Sequence, residues 1–361
     1  MVKKTTYIAP VTTYGGPKTF TPSTAQILGK PANPCAPPGS PPGTHKFPST
    51  FPIHVTATTT LQSNSAGGVN AISLKNPMGQ PMEILEIKFQ LFNSATSIGN
   101  LGGIIACNLE LGKFAITNGF VPIWCMGRSE NLAAESVSDI NTVPGCANEF
   151  TWRLAHPLYV SPDSVLVPTF QHRGQIQNDI SIRISYSARS IPPGAPPPRK
   201  LFLPYAASYT SKSFGANAAG VDQSLETDLV NPFDTELYLQ RFTGRVSALN
   251  LSLTPPAIIE AMVAEGVMNY VCPESMAALQ FNVRMVDSFG RPLVRELVPF
   301  RMVFSGVTRS WETDGAVMDP RSFIIAYLRK DAPFQGSTSA NILAQASIGV
   351  VGFRSMVGGP S

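Results

Sequence analysis

Charge is scarce in this sequence. Only 14% of its 361 residues are Asp, Glu, Lys or Arg, against about a quarter in an ordinary soluble domain. A chain so poor in charge hides surface in partners or depends on Ser, Thr and Asn for solubility. Cysteine is scarce too. Five are present (Cys35, Cys107, Cys125, Cys146, Cys272), an odd count with no CxxC pair, at a density low for a disulfide scaffold. Reduced, partly buried thiols in a protein made in a cytoplasm are expected. No apolar run approaches the roughly 18 residues of a membrane span. The opening MVKK leads into polar TTYIAPVTTYGG, so no signal peptide is expected.

Histidine is nearly missing. His45, His54, His156 and His172 are the four, and residues 205–361 have none. A metal-dependent double barrel needs two or three His converging with a carboxylate, so that class is disfavoured. The chain has no GxSxG elbow, no GxxxxGK[ST] loop and no GxGxxG after a strand. Glu83 and Glu86 form a carboxylate pair, but in an alternating strand they read as a solvated face. No catalytic residue, metal or cofactor is expected.

What is present is unevenly spread. Residues 1–50 hold ten Pro and the lysines Lys3, Lys4, Lys18, Lys30 and Lys46, with no acid. That segment carries +5, and the rest of the +4 chain sums to −1. It reads as an extended basic arm of irregular or polyproline-like backbone. Its five lysines are candidates for contacting neighbouring subunits or phosphate, in nucleic acid or lipid head groups. A second Pro-rich stretch, Ile191 to Pro204, reads as a linker. The organisation expected is therefore an arm over 1–50, one domain over 51–190, a linker over 191–204 and a second domain over 205–361, each domain of ordinary size.

The local signal is β. Residues Ile180 to Tyr186 and Leu279 to Met285 alternate strictly, as half-buried strands do. The second runs through Asp287-Ser288-Phe289-Gly290-Arg291-Pro292 into Leu293 to Val298, a hairpin pattern. His54 to Thr60 is rich in Val and Thr and suits a strand. Turn signals recur about every ten residues, as in a sandwich or barrel. Helix is expected only at 129–137 and 256–270.

The halves repeat one another. Leu74-Lys75-Asn76-Pro77 matches Leu229-Val230-Asn231-Pro232, and each precedes an alternating stretch: Met82, Ile84, Ile87 in one, Leu237, Leu239, Phe242 in the other. Trp152 matches Trp311. Ser161-Pro162-Asp163-Ser164 matches Asp319-Pro320-Arg321-Ser322, and Ala188-Arg189-Ser190-Ile191 matches Phe353-Arg354-Ser355-Met356. The shared order implies duplication. Trp124, Trp152 and Trp311 are read as core or interface residues, and the arginines between 284 and 309 as polar strand faces or inter-subunit ion pairs.

With its LxNP and SPDS/DPRS repeats, its arm and its linker, the chain resembles the double jelly-roll major capsid proteins of tailless icosahedral bacteriophages, a lineage that includes adenovirus. The resemblance implies an all-β fold of two tandem jelly-roll β-barrels with an N-terminal arm and one or two short helices. It implies a virion subunit that is not an enzyme, made in the host cytoplasm and assembled as a homotrimer into pseudo-hexagonal capsomers. Implied partners are neighbouring capsomers, vertex or penton proteins, and membrane lipid or genome through the arm. The alternative from the residues alone is a carbohydrate-binding double β-sandwich.

Overall fold

A computed structural model describes residues 52–62, 69–93, 105–129, 148–173, 179–192, 198, 200–211, 214–215, 221–224, 228–250, 257–259, 281–304, 310–313, 315–331 and 342–356. The five arm lysines lie outside them, and of the 129–137 stretch expected as helix, Ser129 is strand while 130–137 lie outside the described residues.

The first half forms β1 (Pro52–Leu61), β2 (Val69–Ala71), β3 (Leu74–Lys75), β4 (Met82–Asn93), β5 (Ile105–Leu111), β6 (Phe114–Ala115) and β7 (Val121–Pro122). A single helical turn, α1 (Ile123–Met126), follows. Then come β8 (Arg128–Ser129), β9 (Asn148–Val160), β10 (Val165–His172) and β11 (Ile180–Ser190). The second half forms β12 (Leu201–Thr210), β13 (Phe214–Gly215), β14 (Val221–Ser224), β15 (Leu229–Val230), β16 (Leu237–Asn250), β17 (Ala257–Ile259), β18 (Phe281–Asp287) and β19 (Pro292–Pro299). The turn α2 (Phe300–Val303) follows, then β20 (Ser310–Glu312), β21 (Val317–Met318), β22 (Phe323–Lys330) and β23 (Ile342–Met356).

Strand order identifies the architecture. In the first half one sheet runs β1-β11-β4-β9-β8 and the other β2-β10-β5-β6, with β3 on β10 and β7 on β5. In the second half one sheet runs β12-β23-β16, with β20 and β21 also on β16, and the other runs β14-β22-β18-β19, with β15 on β22. Counted as eight strands, both halves read 1-8-3-6 in one sheet and 2-7-4-5 in the other. Two sheets interleaved in that order, all antiparallel, make a jelly roll. The chain is a double jelly roll, and among the described strands no sheet is shared between the halves.

Alternation in the sequence puts one side of each strand inside. Ile84, Ile87, Phe89 and Leu91 of β4 meet Ile182, Ile184 and Tyr186 of β11 in the first core. Phe170 reaches them from the opposite sheet, its ring edge-to-face with Phe89 at 6.4 Å. Leu239, Phe242, Phe281, Val283, Met285, Leu328, Ile348 and Val350 fill the second core. Each such side chain contributes about 1.5–3 kcal/mol on burial.

The pairing registers show how closely one half copies the other. Leu85 is skipped where β4 pairs with β11, and Gln240, 155 residues on, is skipped where β16 pairs with β23. Ile87 pairs with Trp152 and Phe242 pairs with Trp311. The pairing of the sixth strand is interrupted after Arg153 in one barrel and after Glu312 in the other, an offset of 159, and where it resumes Tyr159 opposite Glu83 corresponds to Val317 opposite Tyr238, an offset of 158. One sequence match needs correction. Glu86 faces Ser187 and Arg241 faces Val351, so the last strands align at an offset of 164, not 165. Arg189 therefore corresponds to Phe353, not Arg354. A slip of one residue in a strand exchanges the two faces, and three similar residues in a row could not fix it.

The repeated Asn-Pro motif acts as a knot between two loops. Asn231 is fully buried. Its Nδ2 donates to the carbonyls of Thr235 (3.0 Å), Met318 (3.3 Å) and Asp319 (2.9 Å), and its Oδ1 accepts the Phe233 N–H (3.1 Å). In the first barrel Asn76 donates to Gln80 and Ser161 and accepts from Met78 N–H. Thus the LxNP motif ties itself to the SPDS/DPRS turn in each barrel. Asn231→Leu strands these buried groups, each costing about 1–3 kcal/mol unpaired. A loss of about 3 kcal/mol is expected by urea denaturation, with a smaller loss for Asn76→Leu at its half-buried site.

Other expectations meet the structure differently. β12 begins at Leu201, inside the stretch read as linker, and Pro204 stands within that strand. Pro fits there because β12 is a sheet edge, where a missing N–H breaks no ladder. Residues 257–259, read as helix, are strand β17 paired with β16; residues 260–270 lie outside the described set. Apolar spacing in a short run serves either structure, and pairing decided it. The hairpin over 281–299 is present. Asp287 caps its turn, accepting the N–H groups of Phe289 and Arg291, and Gly290 supplies the positive φ of 78°.

Lys330 is buried at the end of β22, and burial pulls its ammonium down to about 8. The unfolded chain then holds the proton more tightly between about pH 8 and the usual lysine value of 10.5. Stability should therefore rise over that window in denaturation curves, and Lys330→Met should flatten the rise.

Candidate functional site: the seam between the barrels

Among the described residues no group of three His, Cys, Asp or Glu is placed to hold a metal ion, and no helix is long and apolar enough to cross a membrane. Trp152 and Trp124 are buried, so neither offers a sugar platform. The most elaborate arrangement of polar groups lies where the two barrels meet.

One side of the seam is α1. The dipeptide Val121-Pro122 sets it up. Pro122, at φ −55° and ψ 138°, fixes an extended entry, and the Gly127 N–H closes the turn on the Ile123 carbonyl at 3.0 Å. Ile123 points into the first core. Trp124 and Cys125 belong to the same buried cluster, which continues into Leu203, Ala206 and Val351 of the second barrel. The other side is the outer face of β12, β23 and β16, where small residues let α1 approach. A Cβ on Gly349 would stand 2.6 Å from Cys125 Sγ and 2.4 Å from Thr243 Oγ1. Hydrogen bonds from Asn118 N–H to the Ala206 carbonyl (2.8 Å) and from Ala206 N–H to the Ile116 carbonyl (3.0 Å) extend the seam.

Two arginines of β16 are buried in it. Arg241 donates through Nη2 to the Met126 carbonyl at the end of α1, and its Nε has no partner among the described residues. Burial pulls this guanidinium down to about 10; neighbouring Arg128 adds to the shift and Glu312 opposes it. Arg128 and Glu312 pair across the seam. The Arg245 guanidinium lies over the Trp124 ring at 5.2 Å. Burial pushes the Cys125 thiol up to about 12, and Cys107 is raised by the same cause. Both thiols are unbonded and buried, so they serve as packing groups rather than nucleophiles.

Further along, His156 stacks on Phe202 at 4.2 Å and meets Phe353 edge-on at 4.3 Å, and Tyr238 stacks on Phe353 at 5.2 Å. His156 and Phe353 both lie toward the ends of their barrels that carry the tight LxNP and SPDS/DPRS turns. The barrels therefore stand side by side with like ends together. Sequence reasoning named Trp124 and Arg-rich strands but missed α1, Arg241, Arg245 and Gly349. The signal available was Val-Pro followed by four apolar residues, too short to read as helix.

No family model matches the sequence, and no curated protein matches it. Solved structures resemble it at low identity. PBCV-1 VP54, fitted into a reconstruction of the virophage Sputnik, is 10% identical with a TM-score of 0.44, covering 87% of this chain and 96% of that one. The STIV MCP is 14% identical with a TM-score of 0.36, covering 82% and 96%. The mavirus major capsid protein is 9% identical with a TM-score of 0.33, covering 95% and 93%. The double jelly-roll assignment rests on strand order alone.

Proposed function

We propose that this chain is the major capsid subunit of an icosahedral virus, a structural protein without catalysis of its own. The observation that carries this reading is the side-by-side pairing of two equivalent jelly rolls with like ends together. Three such chains supply six like barrels, and six barrels tile a hexagonal lattice that three-fold symmetry alone can build. The capsomer is then a pseudo-hexagonal homotrimer. Solved structures of similar overall plan are named as capsid proteins, and a bacteriophage origin belongs to this proposal.

Other partners follow from the same reading. Neighbouring capsomers meet the outer walls, and vertex proteins fill the five-fold positions. The basic arm with Lys3, Lys4, Lys18, Lys30 and Lys46 ties subunits together or meets phosphate in the genome or a lipid layer beneath. The protein is made in the host cytoplasm and ends in the virion.

Light scattering after size-exclusion tests the trimer. Three chains per particle are expected, and a stable monomer at micromolar concentration would contradict the reading. Deleting residues 1–50 should leave the barrels folded and the trimer intact while shell assembly fails; unaltered assembly would remove the arm's role.

A further inference from the structure

The seam inside the chain has an unused counterpart on each side of it. The turn α2 repeats α1. Val298-Pro299 precedes it as Val121-Pro122 precedes α1, at an offset of 177. Pro299 has φ −49° and ψ 128°, close to Pro122, and the Phe304 N–H closes on the Phe300 carbonyl at 2.9 Å. Phe300, like Ile123, is buried in its own barrel. The third residue differs in fate. Cys125 is buried against the second barrel, whereas its counterpart Met302 is 73% exposed.

The receiving face also has a copy. At the offsets fixed by strand pairing, Arg241, Thr243 and Gly349 of the second barrel correspond to Glu86, Lys88 and Ser185 of the first. Ser185, the first barrel's counterpart of Gly349, is also a small residue. It is 9% exposed, between Thr56 and Lys88 across the sheet and Arg183 and Ser187 along it. This face is open in the chain. It carries threonines and ion pairs, Glu83–Arg189 at 2.6 Å and Glu86–Lys88 at 3.4 Å, where its counterpart carries buried arginines and apolar groups. A seam that never opens tolerates desolvated charge and apolar surface. A face that waits in water for a partner needs a polar one.

We infer that a second copy of this chain occupies both surfaces: α2 of one copy, led by Met302, seats on the β1–β11–β4 face of the next at Ser185, as Cys125 seats at Gly349. The inference rests on the proposed trimer and names its contact. Such a head-to-tail contact closes into a ring when the rotation allows and otherwise runs on as a filament; closure at three copies makes every barrel neighbour alike.

Two variants test it together with wild type. Met302→Asp changes an exposed residue, so the fold should persist by circular dichroism while the particle mass falls threefold, from trimer to monomer. Met302→Cys combined with Ser185→Cys should give, under mild oxidation, a covalent ladder ending at three chains, and neither single variant should. A wild-type trimer that survives Met302→Asp and gives no ladder overturns this contact and leaves the trimer standing. A monomeric wild type overturns both.

Discussion

Gly349→Val is expected to cost about 3 kcal/mol, at the upper end of overpacking penalties, because every atom added there enters occupied space. A single Cβ already falls within 2.8 Å of Cys125 Cβ, with the Cys125 and Thr243 hetero-atoms closer still. Relief requires α1 to lift from β23, which would also pull the Met126 carbonyl from the buried Arg241 guanidinium. Removing the Met126 carbonyl takes a hydrogen-bond acceptor from a buried charge, which is costly. Chemical denaturation followed by far-UV circular dichroism measures the loss. The control is Ser185→Val, the same change at the matching position of the open face. It should alter stability of the isolated chain by less than about 1 kcal/mol yet block trimer formation. Equal losses for the two variants would mean that the internal seam is not specially packed.

Trp152→Ala carries the second large effect. Trp152 is fully buried against Ile87, so its removal leaves a cavity in the first core and is expected to cost about 3–5 kcal/mol. Trp311→Ala should cost clearly less, about 1–2 kcal/mol. Its ring stacks on Phe242 at 5.6 Å but borders an open cleft of about 470 Å³, lined also by Phe289, Leu293 and Met318. The asymmetry follows from the chain's geometry. The matching flank of the first barrel is covered by the second, and among the described residues nothing covers that of the second. If the two tryptophans cost the same, the second barrel's flank is not open in solution.

Sequence alone made much of this plan legible, for identifiable reasons. Alternation over Ile180 to Tyr186 and Phe281 to Met285 is a period-two signal that only a half-buried strand explains. The Asn-Pro and SPDS/DPRS repeats stood out because Asn76 and Asn231 must offer both a donor pair and an acceptor to backbone, which no apolar residue can replace. The 191–204 boundary was blurred because Pro204 sits in an edge strand that tolerates it. The turns α1 and α2 were invisible because four residues carry no helical period. The seam was invisible for a deeper reason. Gly349 and Ser185 are unremarkable in sequence, and their meaning comes from what the fold sets opposite them.

Duplication with divergence gives the second half of the account its physical sense. The same outer face became apolar and arginine-bearing in one barrel and polar in the other. The first packs against the other barrel, and the second is the face on which the proposed neighbouring copy would seat.

The central claim is that this chain builds a shell from six-barrel tiles. Electron microscopy of the purified, assembled protein tests it most directly. The account requires hexagonal capsomers whose mass corresponds to three chains, packed into closed icosahedral particles. Isolated monomers, or an open filament without hexagonal units, would contradict it.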